Sequence, residues 1–239
     1  MEARSFARTI GRGAVAVSTA LVIVALAVLP FLTPTWVAFE QGRTDAAGWT
    51  GYGEADLRGA TNAILADLVL GPPDFDVEVG GQPVLTDRER AHMRDVRGVF
   101  AGFYVAAAAG LVVLIVAWRS VAHDARWRAV RAGAVGLGVA VVAAGVIAVV
   151  AFDLGFELFH RLFFSAGSWT FDPGRDRLVQ LFPAAFWFET TIAVGAVILG
   201  VALVTAVLAG RRLHAQGEAG EPVSVPPGAS TTIEPGAAR

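Results

Sequence analysis

The chain has 239 residues, of which 55% are hydrophobic and 17% charged, with a formal net charge of −2. That balance excludes a basic nucleic-acid-binding surface, and recurrent uncharged runs of membrane-crossing length exclude an ordinary soluble domain. The absence of cysteine excludes disulfides, thiolate metal sites and a cysteine nucleophile.

Residues 1–13 carry Arg4, Arg8 and Arg12 and are predicted as a cytoplasmic N-terminus. The uncharged run 14–39 is long enough to cross a ~30 Å hydrocarbon core and too long for a signal peptide. It is predicted as the first membrane helix, with Pro30 and Pro34 near its outer end. Residues 40–97 form a hydrophilic, extracytoplasmic loop. Within it Leu57, Ala60, Ile64, Leu65 and Leu68 recur at helical spacing. That amphipathic helix either lies on the bilayer or packs inside a small extramembrane domain. Gly71-Pro72-Pro73 ends it, and residues 76–85, with Gly80-Gly81, suit a small hairpin that Pro83 weakens. Thr86 to Glu89 spells a capping box that starts a helix ahead of His92. This helix runs into the second span, 98–118, and His92, Val96, Val99 and Phe103 share one of its faces.

Residues 119–131 set Arg119, Arg126, Arg128 and Arg131 against one acid, Asp124, which marks a short cytoplasmic loop. The third span is 132–152, with Gly133, Gly136, Gly138 and Gly145 suited to close helix contact. Residues 153–189 form a second outward loop that begins as a continuation of the third helix. The fourth span, 190–210, is followed by Arg211 and Arg212, and 211–239 is a cytoplasmic tail whose Gly, Pro and Ser content from Ala215 on predicts disorder. The fold class is therefore an all-α membrane protein. Four transmembrane helices carry an extracytoplasmic cap made of the amphipathic helix and the hairpin, with both termini cytoplasmic.

The chemistry-bearing residues collect in the second outward loop. Phe152, Phe156, Phe159 and Phe163 are spaced as one helical stripe, and Asp153, Glu157, His160 and Phe164 as its neighbour. An acid one turn from a histidine can select its tautomer and raise its basicity, so His160 has the features of a general base oriented by Glu157 or Asp153. His92, with Glu89 and Asp95 beside it, starts a span on the same side. A metal reading uses Glu157-x-x-His160 with His92-x-x-Asp95. It falls short of a ferritin-like set and lacks a third strong zinc ligand. Ser165 and Ser168 lie close to His160, but no G-x-S-x-G elbow or H-E-x-x-H motif is present. No metal or cofactor is expected. A non-enzymatic envelope protein, binding a partner or lipid through its outer loops, is the alternative to an enzyme.

Glu89-x-x-His92-Met93-x-Asp95-Val96 ahead of a span, then Phe159-His160-x-Leu162-Phe163-Phe164, Trp169, Asp172, Asp176, Leu178 and Pro183-x-x-Phe186, resemble the pattern of a family of bacterial four-span membrane proteins that includes the lipoprotein intramolecular transacylase. The resemblance covers residues 14–210. It implies an enzyme of the bacterial cell membrane acting on a diacylglyceryl-modified lipoprotein. An acyl chain would move from the sn-2 ester to the α-amino group of the N-terminal cysteine, leaving a lyso-form lipoprotein, with His92 and His160 as the catalytic pair. The residues suit that reaction. One imidazole can take the amine proton and the other can serve the leaving alcohol. The acyl chains would lie in the outer leaflet among membrane lipid, where Phe156, Phe163, Phe164 and Trp169 could bind them or simply pack, and Arg94, Arg97 and Arg161 could meet a carbonyl or headgroup.

Overall fold

Pro30 and Pro34 decide where the first span stops. A computed structural model describes residues 2–165 and 167–219, with residues 2–8 and 216–219 described as backbone alone. Helix α1 (Glu2–Val28) tightens into a 3₁₀ turn at Leu29–Leu32, and Thr33 is extended ahead of Pro34, as residues before proline tend to be. The Thr33 hydroxyl accepts from the Trp36 N–H at 3.3 Å and opens a new helix, α2 (Pro34–Arg43). The apolar span is therefore Thr9–Leu32. It ends short of the predicted Phe39 because proline donates no helix hydrogen bond and the chain restarts.

Helices α3 (Ala46–Thr50) and α4 (Glu54–Val69) and strands β1 (Glu78–Val79) and β2 (Gln82–Pro83) build a cap. The strands pair antiparallel, Val79 opposite Gln82. Gly80 (φ 60°) and Gly81 (φ 73°) make the turn, where both central residues of a type I′ hairpin need positive φ. The apolar face of α4 is not laid on the bilayer. Leu57, Ala60, Ile64 and Leu65 enter a core with Phe75, Val77, Val84, Met93, Leu178 and Leu181, so a small extramembrane domain wins over a surface helix.

Helix α5 (Asp87–Ser120) has 34 residues and is about 51 Å long at 1.5 Å per residue. Both arms of its capping box form: Thr86 Oγ1 accepts from the Glu89 N–H, and Glu89 Oε2 accepts from the Thr86 N–H at 2.7 Å, a cap worth about 1 kcal/mol. Its charged first turns, Asp87 to Arg97, belong to the cap. The apolar length from Gly98 on is long enough to cross a membrane. Val121 and Ala122 turn the chain into α6 (His123–Val150), so most of the predicted 119–131 loop is helix.

Ala151 (φ −148°, ψ 54°) then breaks the chain before α7 (Phe152–Phe163). The third span and its extension are thus two helices, not one. Helix α8 (Arg177–Leu181) precedes α9 (Ala184–Ala219), which starts directly after Pro183 rather than at Thr190 and runs past Ala215. The rest of the predicted tail, 220–239, lies outside the described residues.

Among the described residues, four helices are long and apolar enough to cross a membrane. Helix α1 is central to the bundle. Ile23 and Ala27 pack with Ala134 and Ile198, and Val15 with Ala117 and Ala129. Gly133 permits the tightest approach, since a Cβ there would stand 2.3 Å from the Ala16 carbonyl oxygen. Gly136, Gly138 and Gly145 meet nothing within 4 Å, so of the predicted contact glycines only Gly133 serves that purpose.

Candidate active site

Helices α5 and α7 bring the two histidines face to face. The His92 and His160 ring centroids are 6.0 Å apart with 24° between the planes. Both side chains are buried. Phe164 flanks the pair, 4.9 Å from His92 and 5.3 Å from His160. Phe171 sets its edge on His92 at 5.5 Å. Phe156 lies 4.0 Å and Trp169 4.9 Å from His160. The site is thus an aromatic box between the cap and the bundle, its members drawn from α5, α7 and the loop after α7.

The hydrogen bonds define what the rings can do. His160 Nδ1 is 2.8 Å from the Phe156 carbonyl oxygen. A carbonyl only accepts, so Nδ1 carries the proton and Nε2 keeps its lone pair. Among the described residues His92 has no hydrogen-bond partner, its buried Nδ1 included. The buried indole Nε1 of Trp169 likewise has no partner among the described residues. Native interiors rarely leave such atoms unmet. Two of them beside one pair of imidazoles mark a place for a polar group from outside the chain.

Burial pushes the His92 ring down to about 4, assisted by the neighbouring His160 ring and opposed by the Asp95 carboxylate. Burial also lowers His160, and outweighs its hydrogen bond to Phe156, which acts the other way. Both rings are neutral bases at neutral pH.

The supporting residues expected from the sequence divide. Glu89 is fully buried and anchors the site: its Oε1 accepts from the Leu178 N–H at 2.6 Å while Oε2 holds Thr86. It therefore fixes the loop carrying Trp169 and Phe171 against the helix carrying His92. Glu157 does not orient His160. It pairs with Arg161 along the flank of α7, because His160 falls on the row of Phe156 and Phe164, four residues apart, and not on the acid row. Asp153 is exposed on α7, and Asp95 is exposed and reaches His92 only through its charge.

Arg97 is occupied, donating to the carbonyls of Asp67 and Gly71 at the end of α4, and Arg94 is exposed beside it on α5. Phe163 and Phe159 are half-exposed on the outer side of α7 and pack on each other, while Phe156 and Phe164 face the rings. Ser168 is tied to the Ser165 carbonyl in a turn. No group of three or more His, Asp or Glu side chains that could hold a metal ion occurs among the described residues.

Two participants escaped the sequence reading. Phe171 walls His92, and Arg88 holds Phe171 by stacking over it at 4.7 Å while pairing with Asp176 at 3.1 Å. Phe171 lies in a loop, which gives no periodic signal, and Arg88, in the first turn of α5, reads in sequence as an ordinary charged helix start.

Fold and site together define a multi-pass membrane protein whose polar groups converge at one rim of the bundle, under a cap. The sequence profile described as lipoprotein intramolecular transacylase Lit matches residues 14–187. The chain belongs to that family. It is similar in fold to solved structures of the membrane-integral lipoprotein intramolecular transacylase from Bacillus cereus. One superposes with a TM-score of 0.72 at 18% identity, covering 90% of this chain and 99% of that one. Two forms carrying a histidine replaced by arginine or by alanine superpose at 0.75, also at 18% identity, covering 90% of this chain and 96% and 97% of theirs. An uncharacterized protein of Aquifex aeolicus (strain VF5) is 26% identical over 141 residues, 57% of this chain. The match spans 63% of the Aquifex protein's length.

Proposed function

We propose that this chain is an O-to-N acyltransferase that moves the sn-2 acyl chain of a diacylglyceryl-modified lipoprotein to the α-amino group of its N-terminal cysteine. The observation that carries the reading is the pair of neutral, buried imidazoles facing each other beside the unpartnered Trp169 N–H. Family membership supplies the reaction class.

His160 Nε2 is the base, since its other nitrogen is held as a donor to Phe156. It takes a proton from the amine as the nitrogen attacks the ester carbonyl. The C–N bond forms and the C–O bond to glycerol breaks. The proton that His160 took from the amine is relayed by His92 to the sn-2 oxygen, which leaves as a hydroxyl, and both rings end neutral. Trp169 Nε1–H donates to the developing oxyanion in this reading, which its lack of a partner among the described residues supports. Donor and acceptor sit on one molecule, so no acyl-enzyme is required and orientation provides much of the rate. Phe156 and Phe164 hold the acyl chain near the rings, and the half-exposed Phe159 and Phe163 meet the surrounding lipid. The histidines and cap face outward, with both termini cytoplasmic, because Arg119, Arg128, Arg131, Arg211 and Arg212 crowd the far ends of the spans.

Mass spectrometry of lipoprotein N-termini in cells expressing this chain tests the reading. Lyso-form product is expected for the unaltered chain and for Glu157→Gln. His160→Ala and His92→Ala are expected to lower its yield by about 10²–10⁴, the usual worth of a general acid or base. An acylation pattern unchanged by the chain would sink the proposal in favour of a non-enzymatic envelope protein.

A further inference from the structure

We infer that the opposite rim of the bundle holds a second site, for an anionic glycerophospholipid whose acyl chain lies between helices and whose phosphate meets Arg126. A cavity of about 280 Å³ opens there among α1, α5, α6 and α9. Its wall is almost wholly apolar, with Val15, Ile23, Leu114, Val130 and Val201 along it and Trp118 at the rim. Among the described residues, the one charged residue lining it is Arg126. Trp118 lies 26 residues beyond His92 on α5, about 39 Å along a helix, so this cavity is separate from the histidine site.

Arg126 is only 8% exposed. Its Nη1 donates to the Trp118 carbonyl at 2.6 Å, and its guanidinium lies 4.0 Å from the Trp118 ring centroid. Capping the end of α5 explains that edge of the side chain. It leaves the buried Nε without a partner. The nearest acid in sequence, Asp124, leans toward Arg128 at 4.0 Å. Among the described residues no carboxylate pairs with this guanidinium; one withdrawn from water without an anion is costly, and its fork fits a phosphate.

The surrounding charge agrees with an anionic ligand. Arg119, Arg128 and Arg131 stand at the same end, and the Arg131 side chain lies 3.8 Å from where Gly210 would carry a Cβ, which brings in Arg211 and Arg212. Basic pockets between membrane helices, beside an apolar groove, take acidic headgroups with their chains. The groove is too apolar for a free anion and too basic for a cationic lipid.

Native mass spectrometry of the full chain, released from micelles containing equal phosphatidylglycerol and phosphatidylcholine, reads this directly. Retention of one phosphatidylglycerol is expected at about fivefold over phosphatidylcholine, the preference that one arginine's attraction supplies. Arg126→Lys keeps the preference and Arg126→Gln brings it to parity. Val201→Trp, which fills the groove with Arg126 intact, loses the bound lipid and serves should Arg126→Gln fail to fold. Equal retention of both lipids by the unaltered chain, or an unchanged preference in Arg126→Gln or Val201→Trp, overturns the site.

Discussion

Two imidazoles 6.0 Å apart and short of water cannot both hold protons, and pH dependence follows from that. Each ring titrates lower in the folded chain than its ordinary 6.5, with His92 near 4. Below 6.5 the unfolded chain therefore binds protons that the folded chain refuses. Stability is insensitive to these groups above 6.5 and declines as pH falls from there toward 4. The proposed reaction uses both rings neutral, so an acid limb of activity is expected below 6.5, read from the rate of lyso-form production across pH. A limb at or above 6.5 in the unaltered chain, absent from the histidine variants, would contradict the burial argument.

Glu89 ties the cap to the helix that carries His92. Glu89→Ala removes half of a capping box and orphans the buried Leu178 N–H. The loss is expected at about 2–4 kcal/mol, one cap plus one unmet buried donor, measured by thermal unfolding in detergent. A change within ~0.5 kcal/mol, the scale of an ordinary surface substitution, would show that the bond does not hold cap to helix.

At the scale of elements, glycines separate by what they touch. Gly133→Ala forces a methyl onto the Ala16 backbone and should destabilise by about 1–3 kcal/mol through overpacking. Gly136→Ala faces open space, and should be neutral or stabilising by up to about 1 kcal/mol from helix propensity. Melting temperatures of the two variants check this, and equal shifts would refute the α1–α6 contact. The capping box and the Gly-Gly turn were legible because their chemistry lies within a few residues. The aromatic row of α7 was half legible. Its period was plain, but which row faced inward depended on the break at Ala151, where the chain leaves α6 at a new angle.

For the whole molecule, the arginine-rich ends predict an orientation, and a chain without cysteine makes it testable. A cysteine at Asp56, exposed on α4, should react with a membrane-impermeant maleimide in intact cells. One at Asp124, beside the α5–α6 turn, should react only after permeabilisation. The reverse pattern would turn the histidine site toward the cytoplasm and remove access to exported lipoproteins.

The spans, the helix carrying His92 and the paired-histidine idea came from local properties: uncharged length, capping chemistry and a resemblance written in short motifs. The partners of those histidines did not. An acid one turn away in sequence looked like the orienter of His160, yet Glu157 found Arg161 and the ring turned to a backbone carbonyl. Phe171, Trp169 and the Leu178 amide reach the site only because the loop after α7 folds back under the cap core. Sequence determines which segments enter the membrane, because hydrophobicity is additive along a helix. Tertiary structure decides which side chains share a pocket, because that depends on how separate helices are rotated and tied.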